Sequence, residues 1–279
     1  MRSRFNISNY SNLAQRVITA IIGASAIIAG TIYSEWTYFL IFGVILAFCQ
    51  MEFYKLSGLD GMLPLKSFGT FIGLCIFILV FLVEMQNLPD KYYFIIFPLV
   101  ALVFFVKLYR KSDKKPFTGI AYTFLGIFYV AIPFCLLTVS AFAIDDTFHA
   151  EIIIGALLIL WASDTGAYFA GTKFGKTKLF ERVSPKKSWE GSLGGAVAAF
   201  ITAMILARFF LALEQWQWFC ITAIIVIAGT YGDLIESLFK RSIAIKDSGN
   251  KLPGHGGFMD RFDGLLLSSP FIAAFLKIF

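Results

Sequence analysis

Nine apolar stretches, each near the length of a bilayer-crossing helix, take up most of this 279-residue chain. They fall near 17–34, 36–54, 67–86, 92–108, 117–143, 151–171, 191–213, 216–239 and 264–279. About 20 apolar residues at a rise of about 1.5 Å each cross the hydrocarbon core. A backbone in hydrocarbon must satisfy its own hydrogen bonds, so each stretch has to be helical. The expected fold is therefore all-α, a polytopic integral membrane protein with about nine transmembrane helices; the last stretch is short for a full crossing. Pro133, inside the fifth, removes a backbone donor and predicts a kink. Charged residues make up only 15% of the chain and apolar ones 58%, against roughly 25% charged in globular domains. A disordered chain, a secreted disulfide scaffold and a soluble nucleic-acid binder are excluded, so no nucleic-acid partner is expected. Cys49, Cys75, Cys135 and Cys220 lie in apolar stretches without a C-x-x-C pair, which leaves neither a zinc site nor a disulfide framework.

Charge orients the chain. Of 24 Lys and Arg residues, 21 fall before the first stretch or in the segments 55–66, 107–115, 173–187 and 240–261. These alternate with segments holding only Lys91, Arg208 and Lys277, beside Glu84, Asp90, Asp145, Asp146 and Glu151. The positive-inside rule puts the N-terminus and the basic loops in the cytoplasm, and with nine spans the C-terminus outside. The net charge of +6 is thus mainly a topology signal, part of which can serve anionic lipid or nucleotide. Ala24-Ser25-Ala26 looks like a cleavage triplet, but the apolar run continues to Tyr33, too long for a signal peptide, so a retained first helix is expected. Residues 1–150 read as anchoring helices that offer lipid access. Residues 151–279 read as the catalytic region with cytoplasmic loops, and no internal repeat is evident.

Acids in that second region stand where they are expensive. Asp164 interrupts an apolar span, where a charge costs about 2.5–3.5 kcal/mol on insertion scales and marks function by default. The alternative is an acid near a helix end, hydrated or paired with a lysine. Asp233, Glu236, Ser237 and Lys240 recur at i, i+3, i+4 and i+7 and share one helical face. Lys240 and Arg241 suit a helix C-terminus, but two acids upstream of them need a cation. Asp260 and Asp263 share a helical side if their segment is helical, after a glycine-rich run that lets backbone approach a ligand. His255 alone is more often structural, and no zinc pattern is present. Carboxylate ligation suggests a hard cation such as Mg²⁺.

In the loop 173–191, Gly175-Lys176-Thr177 ends like a phosphate loop, but Ala170 stands where its first glycine belongs and no strand precedes it. The lysines there suit phosphate oxygens and equally well the positive-inside rule. Gly191 and Gly195 form a G-x-x-x-G pair, suited to a close helix contact or a homodimer face. A transporter could also hold intramembrane acids, but polarity here crowds into one half of the chain, without paired repeats.

Residues 237–263 resemble the signature of phosphatidate cytidylyltransferases, the CDP-diacylglycerol synthases. All its fixed positions match: Ser237, Lys240, Arg241, Lys246, Asp247, His255, Gly256, Gly257, Asp260, Arg261 and Asp263. The segments Asp164-Thr165-Gly166-Ala167-Tyr168 and Ser184-Pro185-Lys186-Lys187-Ser188-Trp189-Glu190-Gly191 also look like family motifs. The resemblance is strong over about 155–265 and covers the leading helices only by pattern. It implies metal-assisted transfer of a cytidylyl group from CTP to phosphatidic acid at the cytoplasmic face of the plasma membrane, the inner membrane of a bacterium. It also implies Asp233 and Asp260 as Mg²⁺ ligands, with Asp263 or Asp164 behind them or on a second cation. Ser237, Lys240, Arg241, Lys246 and Arg261 would hold phosphate groups of nucleotide or lipid, with Ser237, Lys240, Asp260 and Asp263 closest to the chemistry. Lys186 and Lys187 would meet the triphosphate. Asp247 belongs to the substrate-binding set, and His255 with Gly256 and Gly257 would shape the nucleotide turn.

Overall fold

The computed structural model describes residues 12–61, 63–110, 113, 115–245 and 257–279. Helices occupy the nine apolar stretches in order: α1 (Asn12–Tyr33), α2 (Glu35–Ser57), α3 (Lys66–Glu84), α4 (Ile96–Leu108), α5 and α6 (Pro116–Gly126, Ile132–Ala141), α7 (Ala150–Phe174), α8 (Trp189–Phe209), α9 and α10 (Gln215–Ile224, Thr230–Ser242) and α11 (Met259–Ile278). Among the described residues, seven helical runs are long and apolar enough to cross a membrane. The other two are the first and the last. The described apolar part of α1 is the short Thr19–Tyr33, and α11 carries Asp260, Arg261, Asp263 and Lys277.

Apolar side chains face outward as well as inward. Leu193, Val197, Ile201, Met204 and Ile205 are exposed along α8, as are Phe97, Phe104 and Phe105 along α4. A helix apolar all round belongs in lipid or in a large core, and here the outer faces are the lipid-facing ones. The interior is aromatic. Tyr38 and Phe42 of α2, Phe77 and Phe81 of α3, Phe134 of α6 and Phe262 of α11 are buried in one cluster.

Two helical runs are broken by a π turn, at Ile127–Ala131 between α5 and α6 and at Ile225–Gly229 between α9 and α10. The first answers the expectation raised by Pro133. That residue cannot donate to the Tyr129 carbonyl four positions back, and its ring crowds the same group. The helix takes this up as one wider turn, which is where such turns commonly mark a working site.

The segment 173–191 is more ordered than the loop expected from its sequence. Lys178–Phe180 (β1) and Ser184–Ser188 (β2) form an antiparallel hairpin, with Lys178 opposite Ser188. Ser188 then caps α8 by accepting the Gly191 N–H at 3.1 Å. Glu190 accepts the N–H groups of Lys176 and Thr177 at 3.1 Å. The backbone donors of Lys176 and Thr177 are therefore engaged by a side chain, as rejection of a phosphate loop requires.

Candidate active site

Close helix approach builds the site. A methyl on Gly232 of α10 would overlap the carbonyl oxygen of Asp263 on α11, and one on Gly264 would lie 3.5 Å from the Gly229 Cα. Glycine at these positions lets the two backbones touch. That contact brings Asp233 and Glu236, one turn apart on α10, against Asp263. The three residues offer carboxylate oxygens that all lie within 4.8 Å of one another. Gly191 and Gly195 do the same for α7 and α8: methyls there would meet the Ala167 carbonyl oxygen at 3.0 Å and that of Ser163 at 2.7 Å. The G-x-x-x-G pair is thus a close helix contact within the chain. It fixes α7, and with it Asp164, beside the hairpin and α8.

Lysines bind the acids together. Lys187 of β2 reaches Asp233 Oδ2 at 2.6 Å. Lys240 donates at 2.9 Å to both Glu236 Oε2 and Asp260 Oδ1. Ser237 donates to Asp233 Oδ1 at 3.2 Å. Asp260 also accepts the Gly257 N–H at 3.0 Å, and Asp263 the Gly264 N–H at 2.7 Å. Asp164 is exposed on α7, within the electrostatic reach of Asp233, Lys187 and Arg261.

The site residues expected from sequence divide into three groups. Asp233, Ser237, Lys240, Asp260, Asp263 and Lys187 are brought together, with Gly257 beside them and Asp164 and Arg261 within charge range. Arg241 and Lys186 are exposed; Arg241 donates to the Ile245 carbonyl at 3.3 Å, where α10 ends. Lys246, Asp247, His255 and Gly256 lie outside the described residues.

The trio contains Asp233 and Asp263, both anticipated by the resemblance, and adds Glu236. Glu236 joins Asp233 and Asp263, whereas Asp260 is held by Lys240 and the Gly257 amide. Glu236 is 1% exposed, and its Oε1 has no hydrogen-bond partner among the described residues. Among the described residues, four further carboxyl groups (Asp164, Asp233, Asp260, Asp263) and three cationic side chains (Lys187, Lys240, Arg261) belong to the same cluster. A buried carboxylate oxygen without a partner among the described residues, set among further acids, suits a hard divalent cation bound by oxygen. Tyr129, which sequence reasoning missed, stands at the π turn within reach of the charges of Asp263, Glu236 and Asp233. Its buried hydroxyl has no hydrogen-bond partner among the described residues.

Known proteins resemble this chain over most of its length. The Cytidylyltransferase family model matches residues 14–279. A Bacillus subtilis protein named phosphatidate cytidylyltransferase is 31% identical over 276 residues, covering 96% of this chain and 99% of that one. A Haemophilus influenzae protein of the same name is 27% identical, over 94% and 98% of the two chains. One from Staphylococcus haemolyticus is 37% identical over 62% of this chain and 66% of its own. A polytopic helical protein that matches one family model over nearly its whole length belongs to the cytidylyltransferase family, as a membrane-embedded nucleotidyltransferase.

Proposed function

We propose that this protein transfers the cytidylyl group of CTP to phosphatidate, giving CDP-diacylglycerol and pyrophosphate, at the cytoplasmic face of the membrane. The observation that carries the proposal is the convergence of acids from two separate segments, Asp233 and Glu236 with Asp263, beside Lys187 and Lys240 in an otherwise apolar helical protein. The names of the relatives supply the substrate pair.

The attacking group is a phosphate oxygen of the lipid, already anionic near neutral pH, so no strong base is required. The barrier lies in bringing two polyanions together and in stabilising charge on the departing pyrophosphate, which is the work of positioned cations. Asp233, Glu236 and Asp263 would hold Mg²⁺, which when bound supplies positive charge to phosphate oxygens. Lys240 keeps Glu236 and Asp260 in register, joining α10 to α11. Lys187, on the edge of the hairpin, can pass from Asp233 to the triphosphate. Arg261 and Asp164 border the same space, and the exposed Lys186 and Arg241 extend its positive rim. Because Asp260 and Asp263 open α11 and Glu236 lies in the last two turns of α10, a lipid headgroup can reach CTP while its acyl chains remain in the bilayer.

Purified protein given CTP, Mg²⁺ and mixed micelles of phosphatidate should release pyrophosphate and form a cytidylylated lipid in equal amounts. Release of CDP without pyrophosphate would instead identify a CTP-dependent lipid kinase and overturn the proposal.

A further inference from the structure

Glu52 is a buried acid outside the site just described. It lies near the cytoplasmic end assigned to α2, is 1% exposed, and accepts the backbone N–H of Phe258 at Oε2 at 3.1 Å. Its other oxygen has no hydrogen-bond partner among the described residues. Burying a carboxylate costs several kcal/mol unless it is compensated. Among the described residues it is met by the Phe258 amide and the positive end of α11, whose first turn carries Asp260.

The placement of this contact gives it a purpose. Phe258 immediately precedes α11 and follows a glycine-rich run that offers few side chains to pack. Glu52 and Phe48 are one turn apart on α2, and both grip the same residue: Phe48 stacks on the Phe258 ring at 4.9 Å between centroids. One residue further along, Phe53 stacks on Phe239 of α10 at 5.1 Å. A single turn of α2 therefore touches both acid-bearing helices. The Gly257 N–H is taken by Asp260 and the next N–H, that of Phe258, by Glu52. The orphan donors at the start of α11 are thus divided between an acid of the site and an acid of the scaffold.

We infer that Glu52 is a positioning residue for catalysis, which anchors the start of α11 through the Phe258 amide and so sets where Asp260 and Asp263 stand against α10. It touches neither substrate nor cation. What matters is an acceptor oxygen at that spot, so Glu52→Gln should serve nearly as well as glutamate and Glu52→Ala should not.

The test combines hydrogen–deuterium exchange with kinetics on the full-length protein in detergent; only the kinetic part rests on the proposed activity. In Glu52→Ala, peptides covering 257–262 should exchange at least tenfold faster, with peptides from α3 and α8 unchanged. The half-saturating Mg²⁺ concentration should rise at least fivefold and kcat fall at least tenfold, while KM for CTP stays within twofold. Glu52→Gln should remain within threefold of wild type in all of these. A loss of active molecules alone would lower kcat but leave the Mg²⁺ midpoint unmoved, and that outcome would overturn the inference. So would unchanged exchange at 257–262, or a Glu52→Gln variant as impaired as Glu52→Ala. If Glu52→Ala does not fold, Glu52→Met, similar in volume and without an acceptor oxygen, carries the same comparison. Collapse of both while Glu52→Gln folds would show that Glu52 holds the bundle rather than the site, and would likewise overturn it. A wild-type protein that makes no CDP-diacylglycerol would defeat the proposed function and leave the exchange comparison intact.

Discussion

Lys240 holds two carboxylates at equal distance, 2.9 Å from Glu236 on its own helix and from Asp260 on the next. An Asp260→Asn substitution keeps an oxygen for the Gly257 amide but removes the charge that Lys240 meets. Turnover should fall at least about 100-fold, the scale on which a preorganised charged contact acts, with expression and membrane insertion unchanged. Pyrophosphate release and membrane-fraction blotting check the two halves, and near-normal turnover would remove Asp260 from the site. Lys187→Ala should raise KM for CTP about tenfold, the value of one charge-assisted hydrogen bond. An unchanged KM would leave that lysine a partner of Asp233 alone. Tyr129→Phe removes only a hydroxyl that lacks a partner among the described residues, so folding should be untouched. If that hydroxyl meets a substrate phosphate, kcat/KM should drop about tenfold. The acids could be read from sequence because a charge in an apolar span demands a reason. Glu52 and Tyr129 could not be. Glu52 ends an apolar stretch just before Lys55 and resembles an ordinary interfacial acid, and Tyr129 is one of 11 tyrosines in an aromatic-rich chain. Only tertiary proximity distinguishes them.

At the scale of elements, helices followed from apolar length, and their ends lie within several residues of the expected boundaries. The two π turns and the hairpin did not follow. A π turn answers a local conflict, such as the one Pro133 creates, and three- to five-residue strands carry too little periodicity to stand out among lysines. The approach of α10 to α11 was equally hidden, since a glycine in a membrane helix has many uses. It yields a test in which two effects oppose. Gly232→Ala gains about 1 kcal/mol of helix propensity, but its methyl would overlap the Asp263 carbonyl, and overpacking costs about 1–3 kcal/mol. The clash should win, because backbone cannot yield as a side chain can. The melting temperature in detergent should fall and turnover should be lost. Gly23→Ala in α1, with nothing within 4 Å of the new methyl, is the control and should keep both. A Gly232→Ala variant as stable and active as wild type would mean that α10 and α11 need no such contact.

Across the whole molecule, contacts between helix ends respect one alternation. Glu84 at the end of α3 meets Tyr93 at 2.5 Å and Lys277 at 3.4 Å, and Glu151 at the start of α7 accepts the Ala212 N–H at 3.0 Å. All of these residues belong to the side poor in Lys and Arg. On the other side, Lys107 at the end of α4 donates to the Leu63 carbonyl at 2.5 Å, and Glu52 accepts from Phe258. The site residues Lys187, Asp233, Lys240 and Asp260 stand on that basic side too. Alternation alone does not say which side is inside; the positive-inside rule predicts the basic side, and the proposed reaction requires it, because CTP is a cytoplasmic nucleotide. A single cysteine at Asp146, exposed between α6 and α7, should react in intact cells with a membrane-impermeant maleimide. One at Glu181, at the exposed tip of the hairpin beside Lys187, should react only after the membrane is opened. The unaltered protein is the blank, since its four cysteines lie in apolar helices and two are buried. Reversed labelling would put the acids, the lysines and Glu52 on the outer face, away from the nucleotide, and the proposed reaction could not draw on cytoplasmic CTP.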